Sequence, residues 1–164
     1  MSKESEEHCG RAANLARESL HEARRSVQAL RPHILEESDL CEALETLLTK
    51  MTASTALTTE FRVQGQPVAL SPGWEEGLLR IAQESLNNTL RHAQATHFSA
   101  HLFFDQDELR LELHDNGRGF DVTAQHLGFG LLGIRERAEE IGGTVTIRST
   151  DLEGTTISVL VPYT

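Results

Sequence analysis

The strongest constraint on the fold is an alternation of apolar and polar residues between positions 97 and 113. The apolar members of the two runs are Phe98, Ala100, Leu102 and Phe104, then Leu109, Leu111 and Leu113. Successive side chains of a strand point to opposite faces, so the pattern predicts a hairpin with one buried face and a turn at residues 105–107. Similar alternation at residues 145–147 and 157–161 predicts two more strands, joined by a turn at residues 151–154.

Helical periodicity surrounds these strands. It predicts helices over residues 38–51, 71–92 and 131–141. Ser38 is a candidate N-cap for the first of them, and Ser71 precedes a proline at the first position of the second. Residues 57–63 predict one further strand. The fold class is therefore an α/β (α+β) two-layer sandwich, with helices on one face of a mixed, largely antiparallel sheet.

The first thirty residues predict a separate helix. Its small and apolar residues recur at alternating steps of four and three, which is a heptad pattern: Cys9, Ala13, Ala16, Leu20, Ala23, Val27 and Leu30. Pro32 ends the helix, because the residue before a proline is disfavoured in the α region. A helix with one apolar stripe needs a partner helix in this or another chain, unless it folds back onto its own domain. We divide the chain into residues 1–36 and residues 37–164.

Charge and composition exclude several classes of protein. The net charge of -10 argues against direct binding of nucleic acid, which needs a basic face. No apolar run approaches the roughly 20 residues that cross a bilayer, so membrane contact is expected only through regions upstream of this chain. Cys9 and Cys41 lack motif spacing and are typical of reduced thiols. We expect a cytoplasmic domain, either free or as the cytosolic part of a membrane-anchored receptor.

One side of the second helix carries Glu84, Asn88, Arg91 and His92, at steps of four, three and one. A carboxylate, an amide oxygen and a guanidinium in this order can hold a water, a Mg²⁺ ion and a phosphate chain. Mg²⁺ prefers oxygen ligands and keeps most of its waters, so Asn88 is the candidate magnesium ligand. A solvated helix face would look much the same, and the motif is not decisive by itself.

A second motif, Asp115-Asn116-Gly117-Arg118-Gly119-Phe120, directly follows a predicted strand. Asp115 is placed where a buried acceptor could receive the exocyclic amine of adenine. Gly117 and Gly119 allow a tight turn and a close approach of the backbone to the base. Asp-Asn-Gly is also a common hairpin turn, but a hairpin explains neither the second glycine nor the lack of a returning strand.

A third motif, Gly128-Phe129-Gly130-Leu131-Leu132-Gly133, opens the third helix. Glycines before a helix N-terminus present free N–H groups and the positive end of the helix dipole to phosphates. A dinucleotide-binding fold would require a preceding strand in a βαβ unit. Residues 121–127 are instead polar and irregular, which excludes that fold and favours a nucleotide lid.

Together the three motifs resemble the Bergerat-type ATP-binding fold shared by DNA gyrase, Hsp90, histidine kinases and mismatch-repair ATPases. In this resemblance, which covers roughly residues 37–164, residues 83–92 are similar to the N box, 115–120 to the G1 box and 128–133 to the G2 box. Gly154-Thr155 is similar to the terminal pair whose hydroxyl helps Asp115 to hold adenine. The resemblance implies ATP and Mg²⁺ as cofactors and Glu84 as the catalytic residue. It implies these nucleotide-binding residues: Asn88, Arg91, His92, Asp115, Gly117, Gly119, Phe120, Gly128, Gly130, Leu131, Gly133 and Thr155.

Residues 15–32 point to one branch of this superfamily. Their arginine-rich sequence, ending in Leu-Arg-Pro, resembles the second helix of the dimerisation hairpin in histidine kinases that partner helix-turn-helix response regulators. The short segment 121–127 resembles the same subfamily. The resemblance implies the ATP-binding domain of a two-component sensor histidine kinase that is a homodimer at full length.

The phosphoacceptor histidine of that family lies on the first hairpin helix. His21 superficially imitates the acceptor motif, but with one extra residue between Glu18 and the Leu-His pair, and Arg24 and Arg25 fit the second helix better. We therefore expect the acceptor upstream of this chain, and a chain that binds ATP better than it uses it.

Two other functions remain open. An anti-sigma-type serine kinase, or a regulatory module, would use the same pocket to control a protein partner. The long arginine-rich helix before the domain argues against it. A structural dimer with a vestigial pocket is the second alternative, and the complete set of pocket residues argues against it.

Overall fold

The computed structural model describes residues 8–19, 32–122 and 129–164. The chain divides into two compact units, Met1–His33 and Ile34–Thr164. In the first unit, residues 8–19 are helical, as the heptad pattern predicts. The heptad positions from Leu20 to Leu30, and with them His21, lie outside the described residues. The domain boundary after residue 36 stays a prediction.

The described part of the second unit contains five strands and three α-helices. The strands are β1 (Thr58–Gly65), β2 (His97–Phe104), β3 (Glu108–Asp115), β4 (Thr144–Thr150) and β5 (Gly154–Pro162). The helices are α1 (Leu40–Thr52), α2 (Pro72–Asn88) and α3 (Phe129–Glu140). A short 3₁₀ turn, His33–Leu35, precedes α1, and a π-helical turn, Thr89–Ala93, continues α2. Among the described residues, no helix is both long enough and apolar enough to span a membrane.

The strands form one mixed sheet in the order β1-β2-β3-β5-β4. β1 and β2 are parallel, and the other three pairs are antiparallel. The predicted hairpin is confirmed, with Leu102 opposite Leu111 in the register. Its alternation has the expected result, because the apolar members are buried in one core with Leu44 of α1, Leu78 of α2 and Ile134 of α3. The predicted fold class is confirmed.

The N-cap of α1 corrects the sequence prediction. The cap is Asp39 and not Ser38, since the Asp39 side chain accepts a hydrogen bond of 2.9 Å from the backbone N–H of Glu42. The Ser38 hydroxyl turns the other way and donates to the carbonyl of Ile34. Both residue types are good caps, so sequence alone does not separate two neighbours. The prediction of Pro72 at the start of α2 is confirmed, and the cap of this helix is Ser71, whose side chain accepts from the N–H of Trp74.

Removal of the α1 cap is expected to destabilise the domain measurably. Asp39→Ala should lower the free energy of unfolding by about 1 kcal/mol, because one N–H of the first turn loses its acceptor. Asp39→Asn should retain most of the wild-type stability, since asparagine is an equally good cap. Urea denaturation of the three proteins measures the effect. Equal midpoints for wild type and Asp39→Ala would contradict the assignment of the cap.

Candidate functional site

A cavity of about 320 Å³ lies in the second unit, where α2 and its π-helical turn meet the loop after β3 and the first turn of α3. This volume is within the range of about 300–1,000 Å³ that is usual for small-molecule sites. The cavity is lined by Ser85, Asn88, Thr89, His92, Ala93, Asp115, Arg118, Gly119, Phe120, Asp121, Gly130, Leu131, Thr155 and Ile157. Residues from all three sequence motifs therefore meet in one place.

Most of the predicted site residues line this cavity. They are Asn88, His92, Asp115, Gly119, Phe120, Gly130, Leu131 and Thr155. Four others are described but do not line it: Glu84, Arg91, Gly117 and Gly133. Gly128 lies outside the described residues.

Asp115 is the buried polar centre of the site. It is the last residue of β3, and only 6 % of its surface is exposed. One carboxylate oxygen, Oδ1, accepts from the N–H of Gly117 at 2.9 Å, and Oδ2 is 3.1 Å from the hydroxyl oxygen of Thr89. A carboxylate offers about four acceptor positions, so Asp115 can also accept hydrogen bonds from a ligand in the cavity.

The first residues of the loop after β3 are fixed by hydrogen bonds from two side chains and the backbone. The side-chain oxygen of Asn116 accepts from the backbone N–H groups of Thr96 and His97, at 2.9 Å each. Arg118 donates from its backbone N–H to the carbonyl of Ala93 at 2.8 Å, and from Nε to the carbonyl of His92 at 2.7 Å. The loop is therefore bound to the π-helical turn, and the second motif is held against the first.

Gly117 does not line the cavity, and its predicted contact with the base stays a prediction. It is buried, and a Cβ atom at this position would overlap the carbonyl oxygen of Ala93. The glycine therefore lets the loop contact the π-helical turn directly and does not itself line the cavity.

The π-helical turn changes which polar side chains face the cavity. An α-helix throughout would keep Arg91 and His92 on the side of Glu84 and Asn88, as the sequence predicts. In a π-helical turn the hydrogen bonds join residues five apart in the chain, where an α-helix joins residues four apart. The side chains after Thr89 therefore point in different directions around the helix axis. As a result His92 lines the cavity and Arg91 does not, although both residues are exposed. Such turns inside helices are frequent at functional sites.

Glu84 and Asn88 contact the start of α3 through Gly130. A Cβ atom added to Gly130 would overlap Oε1 of Glu84 and would lie 3.2 Å from Oδ1 of Asn88. The absence of a side chain thus lets the first turn of α3 pack directly on these two oxygen atoms. The positive end of the helix dipole therefore lies beside the carboxylate of Glu84.

Thr155 lies next to Asp115 in the sheet and lines the cavity beside it. The two residues are partners in the register of β3 and β5. The Thr155 hydroxyl lies 2.8 Å from the hydroxyl of Ser149 on β4. The cavity thus has one region with buried acceptors and hydroxyls, and another with the amide of Asn88 and the N-terminus of α3.

Several lining residues were not predicted as site residues: Ser85, Thr89, Ala93, Arg118, Asp121 and Ile157. Ser85 and Thr89 lie on the apolar stripe of α2 and its π-helical turn, with Leu78, Ile81 and Leu86, and both are buried. A hydroxyl within an otherwise apolar stripe, such as that of Thr89, is the one signal that could have identified them. Arg118 lies inside the second motif, but its pattern gave this residue no role.

Comparison with known proteins gives the family. Residues 73–164 match the family model described as histidine kinase-, DNA gyrase B-, and HSP90-like ATPase. The sensor histidine kinase LiaS of Bacillus subtilis (strain 168) is 37 % identical over 150 residues, which cover 91 % of this chain and 41 % of LiaS. The signal transduction histidine-protein kinase/phosphatase DegS of Brevibacillus brevis is 32 % identical over 151 residues, or 92 % of this chain and 39 % of DegS. The chain thus spans about two fifths of the length of these relatives.

The fold is also that of a solved kinase structure. The mycobacterial sensor histidine kinase MprB superposes with a TM-score of 0.60 and 19 % sequence identity, over 76 % of this chain and 95 % of that one. The match of the family model over more than half of the chain confirms the resemblance first seen in the three motifs. This chain belongs to the histidine kinase-, DNA gyrase B- and HSP90-like ATPase family.

Proposed function

We propose that this chain is the ATP-binding catalytic domain of a two-component sensor histidine kinase, and that it transfers the γ-phosphate of ATP to a histidine on a dimerisation helix outside this chain. The observation that carries the proposal is the buried carboxylate of Asp115, fixed on both of its oxygens at the wall of the cavity. LiaS is named a sensor histidine kinase and DegS a signal transduction histidine-protein kinase/phosphatase, which supports the same activity.

The adenine base would be held at the Asp115 end of the cavity. Its exocyclic amine has two N–H donors, and Asp115 is an acceptor that is already oriented by Gly117 and Thr89. The hydroxyl of Thr155 would form a hydrogen bond with N1, the ring nitrogen of adenine beside the amine. Because the Asp115 carboxylate is already held by Gly117 and Thr89, little reorganisation opposes binding.

The phosphates would lie toward Asn88 and the N-terminus of α3. Asn88 contributes an amide oxygen to the cavity, and this suits Mg²⁺, an ion that takes few protein ligands and completes its shell with phosphate oxygens and waters. Bound there, the ion would neutralise charge on the phosphates. The first-turn N–H groups at Gly130 and Leu131 would face the phosphate oxygens, whereas Gly133 lies further into α3 and does not line the cavity. Arg91 is exposed beside His92, so its proposed contact with phosphate would be made outside the cavity.

Glu84 is the proposed catalytic residue. Its carboxylate is half-buried beside Gly130, at the phosphate end of α2. There it would accept a hydrogen bond from the acceptor imidazole, or from a water, and raise the nucleophilicity of the attacking atom. His92, Gly119 and Phe120 line the cavity and would contact the nucleotide.

The partners follow from the same proposal. The helix of the first unit would be the second helix of a dimerisation hairpin in a homodimeric kinase. The phosphorylated histidine on the first helix of that hairpin would pass the phosphate to a response regulator with a helix-turn-helix output domain. The domain would work in the cytoplasm, with any membrane anchor in other regions of the protein.

The decisive test supplies the missing acceptor in trans. The chain is mixed with Mg-ATP labelled at the γ-phosphate and a separately produced dimerisation hairpin that carries the acceptor histidine. We expect label on the hairpin in an acid-labile, alkali-stable form, which is the behaviour of phosphohistidine. Acid-stable label on a serine would instead favour the serine-kinase alternative, and wild-type protein that binds no ATP would favour a vestigial pocket.

A further inference from the structure

Ser149 lies directly behind the adenine end of the cavity, although none of the sequence motifs includes it. It is half-buried near the end of β4 and is the register partner of Thr155. Thr155 lines the cavity, whereas Ser149 does not. Any effect of Ser149 on a ligand is therefore exerted through its neighbours.

The hydroxyl of Ser149 is at the centre of a small hydrogen-bond network. It accepts from the backbone N–H of Phe120 at 2.8 Å. It lies 2.8 Å from the hydroxyl oxygen of Thr155 and 3.2 Å from the carbonyl oxygen of Gly154. The network thus joins the loop after β3 to the turn between β4 and β5.

The position of Phe120 depends on a close backbone contact at Gly119. This glycine has a φ of 68°, and a Cβ atom here would overlap the carbonyl oxygen of Thr150 and lie 3.1 Å from Oγ of Ser149. The loop is therefore seated directly on β4. This contact places the backbone N–H of Phe120 within hydrogen-bond distance of Ser149, and the bond occupies one acceptor position of the Ser149 hydroxyl.

The Ser149 hydroxyl has one proton and two possible acceptors. If the proton goes to Thr155, the Thr155 hydroxyl must direct its own proton elsewhere, and it can then donate into the cavity. If the proton goes to the Gly154 carbonyl, Thr155 must donate to Ser149 and presents only lone pairs to the cavity. The position of this proton therefore decides whether Thr155 is a donor or an acceptor for a ligand.

We propose that Ser149 is a positioning residue for base recognition, which donates to Thr155 and so makes the Thr155 hydroxyl a donor toward the ring nitrogen N1 of adenine. The inference rests on the proposed ATP-binding function. Adenine has a donor amine beside an acceptor N1, which complements an acceptor Asp115 beside a donor Thr155. Guanine and hypoxanthine have the opposite pair, a carbonyl oxygen beside an N–H, and are excluded at both positions.

The test compares nucleotides that lack one recognition group at a time. Binding of ATP, of 1-deaza-ATP, which lacks N1, and of purine riboside triphosphate, which lacks the amine, is measured for wild type and for Ser149→Ala. We expect Ser149→Ala to weaken ATP binding roughly five- to tenfold, because the Thr155 hydroxyl is then no longer held as a donor and its neutral hydrogen bond to N1 is weakened or lost. The same loss is expected for purine riboside triphosphate, and almost none for 1-deaza-ATP. Ser149→Thr, which keeps the hydroxyl, should bind as wild type does.

The control variant is Thr146→Ala, which removes an exposed hydroxyl from the same strand and should change none of these affinities. An equal loss for ATP and 1-deaza-ATP in Ser149→Ala would indicate a general structural role and overturn the proposal. Wild type that binds 1-deaza-ATP as tightly as ATP would overturn it without any variant. Wild type that binds none of the nucleotides would instead refute the ATP-binding function itself.

Discussion

Asp115→Asn is expected to weaken ATP binding by about 100-fold, because a hydrogen bond to a charged buried acceptor contributes up to about 3 kcal/mol. Asparagine has one acceptor oxygen where aspartate has two. The N–H of Gly117 requires an acceptor at 2.9 Å, so the amide oxygen would remain there. The amide nitrogen would then replace Oδ2, and its N–H groups would face the adenine amine, which is also a donor. The Thr89 hydroxyl can adapt, because its proton can turn to the carbonyl of Ser85 at 3.1 Å.

The matched control for this variant is Asp107→Asn. It makes the same change of charge on an exposed residue in the turn between β2 and β3, and it should bind ATP as wild type does. Calorimetric titration measures the affinities, and thermal unfolding verifies that both variants are folded. If Asp115→Asn is folded and binds ATP with wild-type affinity, the adenine amine does not bind to this carboxylate.

Glu84→Gln is expected to separate binding from catalysis. Glutamine has the shape of glutamate, so the close packing against Gly130 is preserved and ATP should bind with wild-type affinity. The variant lacks a carboxylate that can take up a proton from the attacking group. Loss of a general base typically slows a reaction by about 10²–10⁴-fold, and we expect phosphotransfer to the separately supplied hairpin to slow by a factor in that range.

Single-turnover transfer from labelled ATP is the measurement, with Glu76→Gln as the control. Glu76 lies on the same helix, pairs with Arg80 at 3.3 Å, and does not line the cavity. Transfer at the wild-type rate by Glu84→Gln would remove the proposed catalytic role. Loss of ATP binding in this variant would place Glu84 in nucleotide recognition instead.

The parts of the structure that depend on local pattern were predictable. The hairpin of β2 and β3 is specified by alternation, since a register shift of one residue would move Leu111 and its apolar neighbours in β3 to the opposite face from Leu102. Asp115 could be identified because an acidic residue directly after a buried strand, followed by two glycines, has few structural explanations. The start of α3 could be predicted from the glycines around it, although the helix begins at Phe129, two residues earlier than predicted.

The remaining features depend on contacts between distant segments. The π-helical turn has the same residue types as an ordinary helix, and it is stabilised by Arg118, which donates to the carbonyls of His92 and Ala93 from a loop elsewhere in the chain. The relation of Ser149 to Thr155 exists only because β4 pairs with β5 in one register. No spacing within a single segment reveals either arrangement.

The most direct test of this account is a titration of the wild-type chain with Mg-ATP. We expect a single saturable site, with ADP competing for it and GTP failing to do so, because Asp115 accepts from an amine that guanine does not place there. The absence of saturable binding by the wild-type chain, or equal binding of ATP and GTP, would contradict the assignment of this cavity as an adenine-nucleotide site.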